Sequence, residues 1–272
     1  MKKEDVTKEQ ITHLLLVILG AASEGIDEVN FDEKLKKKMK FQHKTDVKRY
    51  RACIDLIEDT DHALKNAFRF QLGDMGNKKI DFGERYLRLY GILNATYLQI
   101  GAYKELSKLI NYPTSDRLGE LFHVLDIYRL RNIAASHTID YLFDKEMKKT
   151  KTFQRKTTSF RIVQMKLDRI GKNIMAIDEN GVSFEFCLLD CLTDYEKVAR
   201  NLLYKMVDHA IANLVSNKKY KVELKSNLDD LFSKLPDYKK FDKNSRILQR
   251  RDRQFKKVVD KTTAYINDTN SS

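Results

Sequence analysis

Residues that break helices are scarce in this chain, which has two prolines and ten glycines in 272 residues. That scarcity argues against short strands joined by tight turns and favours long helices. Cysteine is scarce too. Cys53, Cys187 and Cys191 form neither a zinc-binding pattern nor a disulfide framework, so they read as buried free thiols of a reducing compartment. No apolar run is long enough to span a bilayer. The longest candidate, Leu14 to Ala22, is too short, and the mixed-charge start Met1-Lys2-Lys3-Glu4-Asp5 does not suit a secretory leader. The expectation is a cytoplasmic protein with no membrane partner. Phosphate loops of the GxxxxGK or GxGxxG type are missing, and so is HExxH, which leaves no signal for a nucleotide, a metal or another cofactor.

What is present is charge and hydrophobic periodicity. Charged residues make up 33 % of the chain and hydrophobic residues 42 %, a balance suited to a folded core. The net charge is +12, which attracts phosphate polyanions or acidic surfaces and suits solvated lysine-rich helix faces equally well.

The periodicity predicts a helix over about Thr7 to Ser23, with Thr7 and Gln10 as a capping box and Gly20 and Gly25 at its end. The basic run Lys34 to Lys40 reads as a linker or one face of a short helix. A second long helix covers Asp46 to Gln71, with Ile54, Ile57, Leu64 and Phe68 on one stripe. The clearest helix runs from Phe82 to Ile110. Tyr86, Tyr90, Leu93 and Tyr97 form one stripe, read as core. Gly91, Ala95, Leu98 and Ala102 form a smaller-residue stripe suited to close helix approach. After Pro113, with Thr114, Ser115 and Asp116 as cap, a kinked or split helix continues through Arg131 to Phe143. Lys145 to Lys156 reads as an exposed linker.

Period-two alternation then takes over. Phe160 to Leu167 and Asn173 to Ile177 look extended, and Val182, Phe184, Phe186 and Leu188 alternate with polar or small residues. Asn180-Gly181 predicts a hairpin turn, because both residues tolerate positive φ. A helix returns over Thr193 to Ser216, with Tyr195, Val198, Leu202, Met206 and Ala210 on one face, and two more follow, separated near Pro236. The expected class is therefore mainly α, with a small antiparallel sheet and further C-terminal helices. The expected segments are 1–45, an N-terminal helix and basic linker; 46–148, a helical bundle; and 149–272, the sheet and last helices.

The segment that could carry chemistry is Arg131-Asn132-Ile133-Ala134-Ala135-Ser136-His137. At about 100° per residue, Arg131 and His137 lie about 120° apart on an ideal helix, an arc a long arginine can bridge. Ala134 and Thr138 fall inside that arc. A histidine titrates near neutrality and can move a proton from a ribose 2′-hydroxyl. An arginine stays charged and offers a planar fork to phosphate. On residue types alone the pair also fits a surface arginine beside a core histidine.

The motif resembles the signature of the HEPN superfamily: an arginine, four to six residues of which the first is usually polar, then a histidine. The stretch Glu84 to Gln99 is similar to the long central helix of some HEPN proteins, and the likeness spans about Asp46 to Phe143. The resemblance implies a dimerising helical bundle with paired motifs in a cleft on the two-fold axis. It implies a metal-independent endoribonuclease, in a toxin–antitoxin, phage-defence or RNA-processing setting. Arg131 would polarise the phosphate, His137 would be the acid–base group and Asn132 would orient one of them. Some toxin members carry a tyrosine two residues after the histidine. Here that position is Ile139, and Tyr141 lies one helical turn from His137 instead. Some HEPN domains are not nucleases, so a non-catalytic RNA- or protein-binding module is the alternative. Expected partners are RNA, a second copy and an antitoxin or regulatory protein. Arg129 is an expected RNA-backbone contact, and the C-terminal cluster Arg250, Arg251, Arg253, Lys256 and Lys257 reads equally as such a contact or as a solvated face.

Overall fold

A computed structural model describes residues 8–26, 29–73, 82–135, 141–142, 157–158 and 160–235, all of them in one compact unit, Met1–Leu235. The helices are α1 (Lys8–Ser23), α2 (Phe31–Met39), α3 (Asp46–Phe70), α4 (Phe82–Leu109), α5 (Leu118–His123), α6 (Asp126–Ala135), α7 (Leu188–Leu214) and α8 (Lys218–Lys234). The strands are β1 (Tyr141–Leu142), β2 (Thr157–Thr158), β3 (Phe160–Ile162), β4 (Ile174–Asp178) and β5 (Ser183–Phe186). The protein is mainly helical with a small antiparallel sheet, as the sequence predicts.

The bundle is built on α3 and α4, which pack along each other extensively, with α1 laid against α3 and α7. Its core takes residues from all three expected segments: Ile11 and Leu15, Ile54 and Ile57, Leu89 and Leu106, and Leu203 and Met206. The stripe on α3 works as expected, since Ile54, Ile57 and Leu64 are buried. The basic run is the outer side of α2, whose Leu35 and Met39 are buried beneath it. On α7 the helix starts earlier than its periodicity suggests, because Leu188 and Cys191 are already in the core.

Three expectations about the helices need correction. Gly20 lies inside α1, and the break comes at Gly25, where φ is +69°. The helix expected to run to Phe143 stops short of it. It first splits at Val124 and Leu125, and Tyr141–Leu142 is a strand, paired antiparallel with Thr157–Thr158. Tyr141 therefore stands on a strand and not on the expected helix, and His137 lies outside the described residues. On α4 neither predicted stripe is a single buried face. Leu93, Ala95 and Ala102 are buried, whereas Tyr90, Gly91, Tyr97 and Leu98 face solvent. Thr7 of the capping box and the stretch Lys145 to Lys156 lie outside the described residues.

The three-stranded sheet has the order β3-β4-β5, with Ile162 opposite Ala176 and Ile174 opposite Phe186. The side of the sheet bearing Phe160, Ile162, Ile174, Ala176 and Phe186 is buried, and β3 contacts α6. The hairpin forms at Asn180-Gly181, but only Gly181 takes positive φ, at +80°. The loop is instead closed by the Asp178 amide on the Val182 carbonyl, and the Asp178 carboxylate accepts from the amides of Asn180 and Val182. That suits a three-residue loop with its glycine in the left-handed position. Gly171 is required for space as well as conformation: φ is +66°, and a Cβ there would meet the Leu188 Cβ at 2.9 Å.

Candidate functional site

Helix α6 buries Ile127, Leu130, Ile133 and Ala134, a spacing that turns one face into the bundle against α4. Arg131 and Asn132 flank that face and are half-buried. The Arg131 guanidinium carbon sits 3.8 Å from the centre of the Tyr97 ring on α4. Its Nη1 donates to Asn132 Oδ1 at 3.1 Å. A guanidinium laid on an aromatic ring loses rotational freedom and keeps its donors in one plane, the geometry that matches a phosphate or carboxylate.

The other predicted residues divide. His137 and the cluster Arg250, Arg251, Arg253, Lys256 and Lys257 lie outside the described residues. Arg129 is engaged with the sheet: its guanidinium lies 4.4 Å from the Phe184 ring and 5.9 Å from that of Phe186. It links α6 to β5. His123 is an exposed residue whose ring packs 4.5 Å from that of Tyr128.

A second cluster was not foreseen. Lys8 is fully enclosed, and its Nζ lies 2.9 Å from Asp61 Oδ1 on α3 and 2.7 Å from Glu196 Oε1 on α7. It also donates to Gln99 Oε1 on α4 at 3.3 Å. Gln99 in turn donates to the Ile57 carbonyl and to Thr60 Oγ1, and accepts from Tyr195 Oη at 2.9 Å. Four helices therefore meet at one ammonium group. Burial alone would strip Lys8 of its proton, but Glu196 and Asp61 outweigh it and hold its pKa well above the ordinary value. Burial likewise works against a charge on Asp61, yet Lys8 and Lys65 keep its pKa below the ordinary value. Glu196 goes the other way. Burial raises its pKa, Lys8 offsets this only in part, and the neighbouring Asp61 adds to the rise. The cluster's chemistry is that of an internal tie, with a shielded lysine that stays protonated.

A signal for this cluster is present in the sequence. Asp61 falls between Ile57 and Leu64 on their own stripe, Gln99 falls between Ala95 and Ala102, and Glu196 between Leu192 and Ala199. One polar residue interrupts each of three buried stripes.

Cys53 and Cys191 are buried free thiols and Cys187 is half-buried. Burial pushes Cys53 up to about 11 and Cys191 up to about 12, so neither is a nucleophile at neutral pH. Among the described residues no cluster of His, Cys, Asp and Glu is arranged to hold a metal ion, and no helix is long and apolar enough to cross a membrane. No family model, no curated protein and no solved structure matches the chain.

Proposed function

We propose that this chain is a metal-independent endoribonuclease of the HEPN type, acting as a homodimer on RNA in a defence or toxin–antitoxin setting. The observation that carries the reading is Arg131, stacked on Tyr97 and tied to Asn132, five residues before the motif's final Ser136-His137. In this reading Arg131 grips the non-bridging oxygens of the scissile phosphate and stabilises charge on the phosphorane. His137 takes the proton from the 2′-hydroxyl as its oxygen attacks phosphorus. The bond to the 5′-oxygen breaks and that oxygen is protonated by the second copy's His137. The products are a 2′,3′-cyclic phosphate and a free 5′-hydroxyl. The net charge of +12 favours a polyanionic substrate.

Purified protein incubated with RNA in EDTA tests this directly. Wild type is expected to cut and leave cyclic-phosphate ends, and Arg131→Ala and His137→Ala are expected to lose cutting by about 100-fold or more. Cutting that persists in both variants refutes the assignment. Salt-sensitive RNA binding without cleavage in wild type would instead identify a binding module.

A further inference from the structure

Helices α5 and α6 run back along α4, and two contacts fix how they face it. At the start of the return, a Cβ built on Gly119 would lie 3.0 Å from Lys104 Nζ and 3.6 Å from His123 Nε2. Further along, Arg131 sits on Tyr97. Tyr97 and Lys104 stand seven residues apart on α4, within about 20° of the same direction and about 10 Å apart along the axis. Lys104 and Arg131 therefore belong to one strip of surface.

Two features of the Lys104 end of that strip point to a ligand. The first is a cation held in place without an anion. Gly119 has no positive φ that needs glycine, and its missing side chain leaves room for Lys104 to lie across α5 beside His123. Lys104 is half-buried. Among the described residues neither its ammonium nor the ring nitrogens of His123 have a hydrogen-bond or ion-pair partner. The neighbouring acid, Glu105, is engaged by Arg49 on α3. A half-buried ammonium in this state has lost water that an incoming anion would replace with charge-assisted hydrogen bonds.

The second feature is a ring pair beside that cation. His123 is exposed and packs on the half-buried Tyr128, with ring centres 4.5 Å apart and planes 34° apart. An exposed ring backed by a second ring is a platform on which a nucleobase stacks. Single-stranded nucleic acid needs both parts, a cation for the phosphate and a ring for the base, whereas an acidic peptide has no use for the rings.

We infer that Lys104, His123 and Tyr128 form a second nucleotide position for single-stranded RNA, with a phosphate on Lys104 and a base on the His123–Tyr128 pair. The inference rests on the reading of this chain as a protein that acts on RNA. It adds the direction in which the strand leaves Arg131, towards the C-terminal end of α4.

Fluorescence anisotropy with a labelled 2′-O-methyl RNA oligonucleotide tests it in the full-length protein, because blocking the attacking hydroxyl separates binding from cleavage. Lys104→Ala should weaken binding about tenfold. It should also lower the slope of log K against log salt by about 0.7, the share of one phosphate contact on a single strand. Lys104→Arg should keep the slope. His123→Ala should weaken binding by about tenfold through lost stacking, and His123→Phe should recover it by restoring a ring. Lys37→Ala removes the same charge from the exposed side of α2 and should change little. Equal losses in Lys104→Ala and Lys37→Ala would overturn the inference, since binding would then follow net charge alone. Wild-type affinity in His123→Ala would overturn it too, as would a wild type that does not bind. Displacement of the oligonucleotide by polyglutamate as readily as by RNA would make an acidic protein the partner instead. Cleavage of natural RNA is scored separately. Binding that needs Lys104 and His123 without any cutting upholds this position and refutes the nuclease. Cutting that needs His137, with binding indifferent to Lys104 and His123, does the opposite.

Discussion

Helix α4 places opposite chemistries on its two sides. Its inner side brings Gln99 into a charged knot in the middle of the bundle, while its outer side presents Tyr97 and Leu98 to solvent. The inner side is otherwise apolar, with Leu89, Ile92, Ile100 and Leu106 buried around that knot, so each side carries a minority of residues that run against the usual arrangement. Each minority has its own reason. The inner charges are tolerated because Lys8 meets two carboxylates and an amide at once, which offsets desolvation. The outer apolar residues are consistent with a partner, and Tyr97 already seats Arg131. The inner side concerns how the bundle holds together, and the outer side concerns what it meets.

Removing the shared cation is the most damaging change to the inner side. Lys8→Met is expected to lose about 3–5 kcal/mol of stability, since it removes the ammonium that the buried Asp61 and Glu196 share, although Lys65 stays beside Asp61. Urea denaturation measures it, and a loss below 1 kcal/mol would mean that the knot contributes little. Gln99→Leu should cost less, about 1–3 kcal/mol, by leaving Thr60 and Tyr195 without that partner.

Acid unfolding separates the two carboxylates. Asp61 has a lowered pKa, so its contribution is full above the ordinary carboxylate value of about 3.9 and is lost as pH falls through its lower folded value. Glu196 has a raised pKa, so its contribution is full below about 4.3 and fades as pH rises through its folded value. Denaturation midpoints from pH 3 upwards should therefore lose that second decline in Glu196→Gln and keep the first. An unchanged profile would show that Glu196 does not titrate as its surroundings imply.

The outer side gives smaller effects. Gly91→Ala should raise stability by about 0.5–1 kcal/mol, because alanine is the better helix former and a Cβ there meets no described atom within 4 Å. A gain in urea denaturation would sharpen the contrast between the two sides of α4, and a loss would erase it. Tyr97→Ala should alter stability least, by less than about 1 kcal/mol for the lost stacking contact, yet reduce the proposed RNA cleavage by releasing Arg131. Unchanged cleavage would detach Tyr97 from the site.

The sequence made some of this legible and hid the rest for identifiable reasons. The extents of α1, α3 and α4 were readable because sustained periodicity and few breakers leave little alternative over such lengths. The stop of α6 before Tyr141 was not, since nothing between Arg131 and Phe143 is a proline or glycine and the pairing of Tyr141 with Thr158 is a non-local event. Arg129 and Arg131 looked equivalent as basic residues. Only the packing of α6 between α4 and β5 gives one to Phe184 and the other to Tyr97.

Helical class, the antiparallel hairpin around Gly181 and the motif from Arg131 to His137 were set by local residue order, because periodicity and turn chemistry act over a few neighbours. Which side of α4 faces inward, and the meeting of Lys8, Asp61, Gln99 and Glu196, were decided by packing. Those groups stand on four separate helices, up to 188 positions apart in the chain, and only the closed bundle brings them within reach of one another.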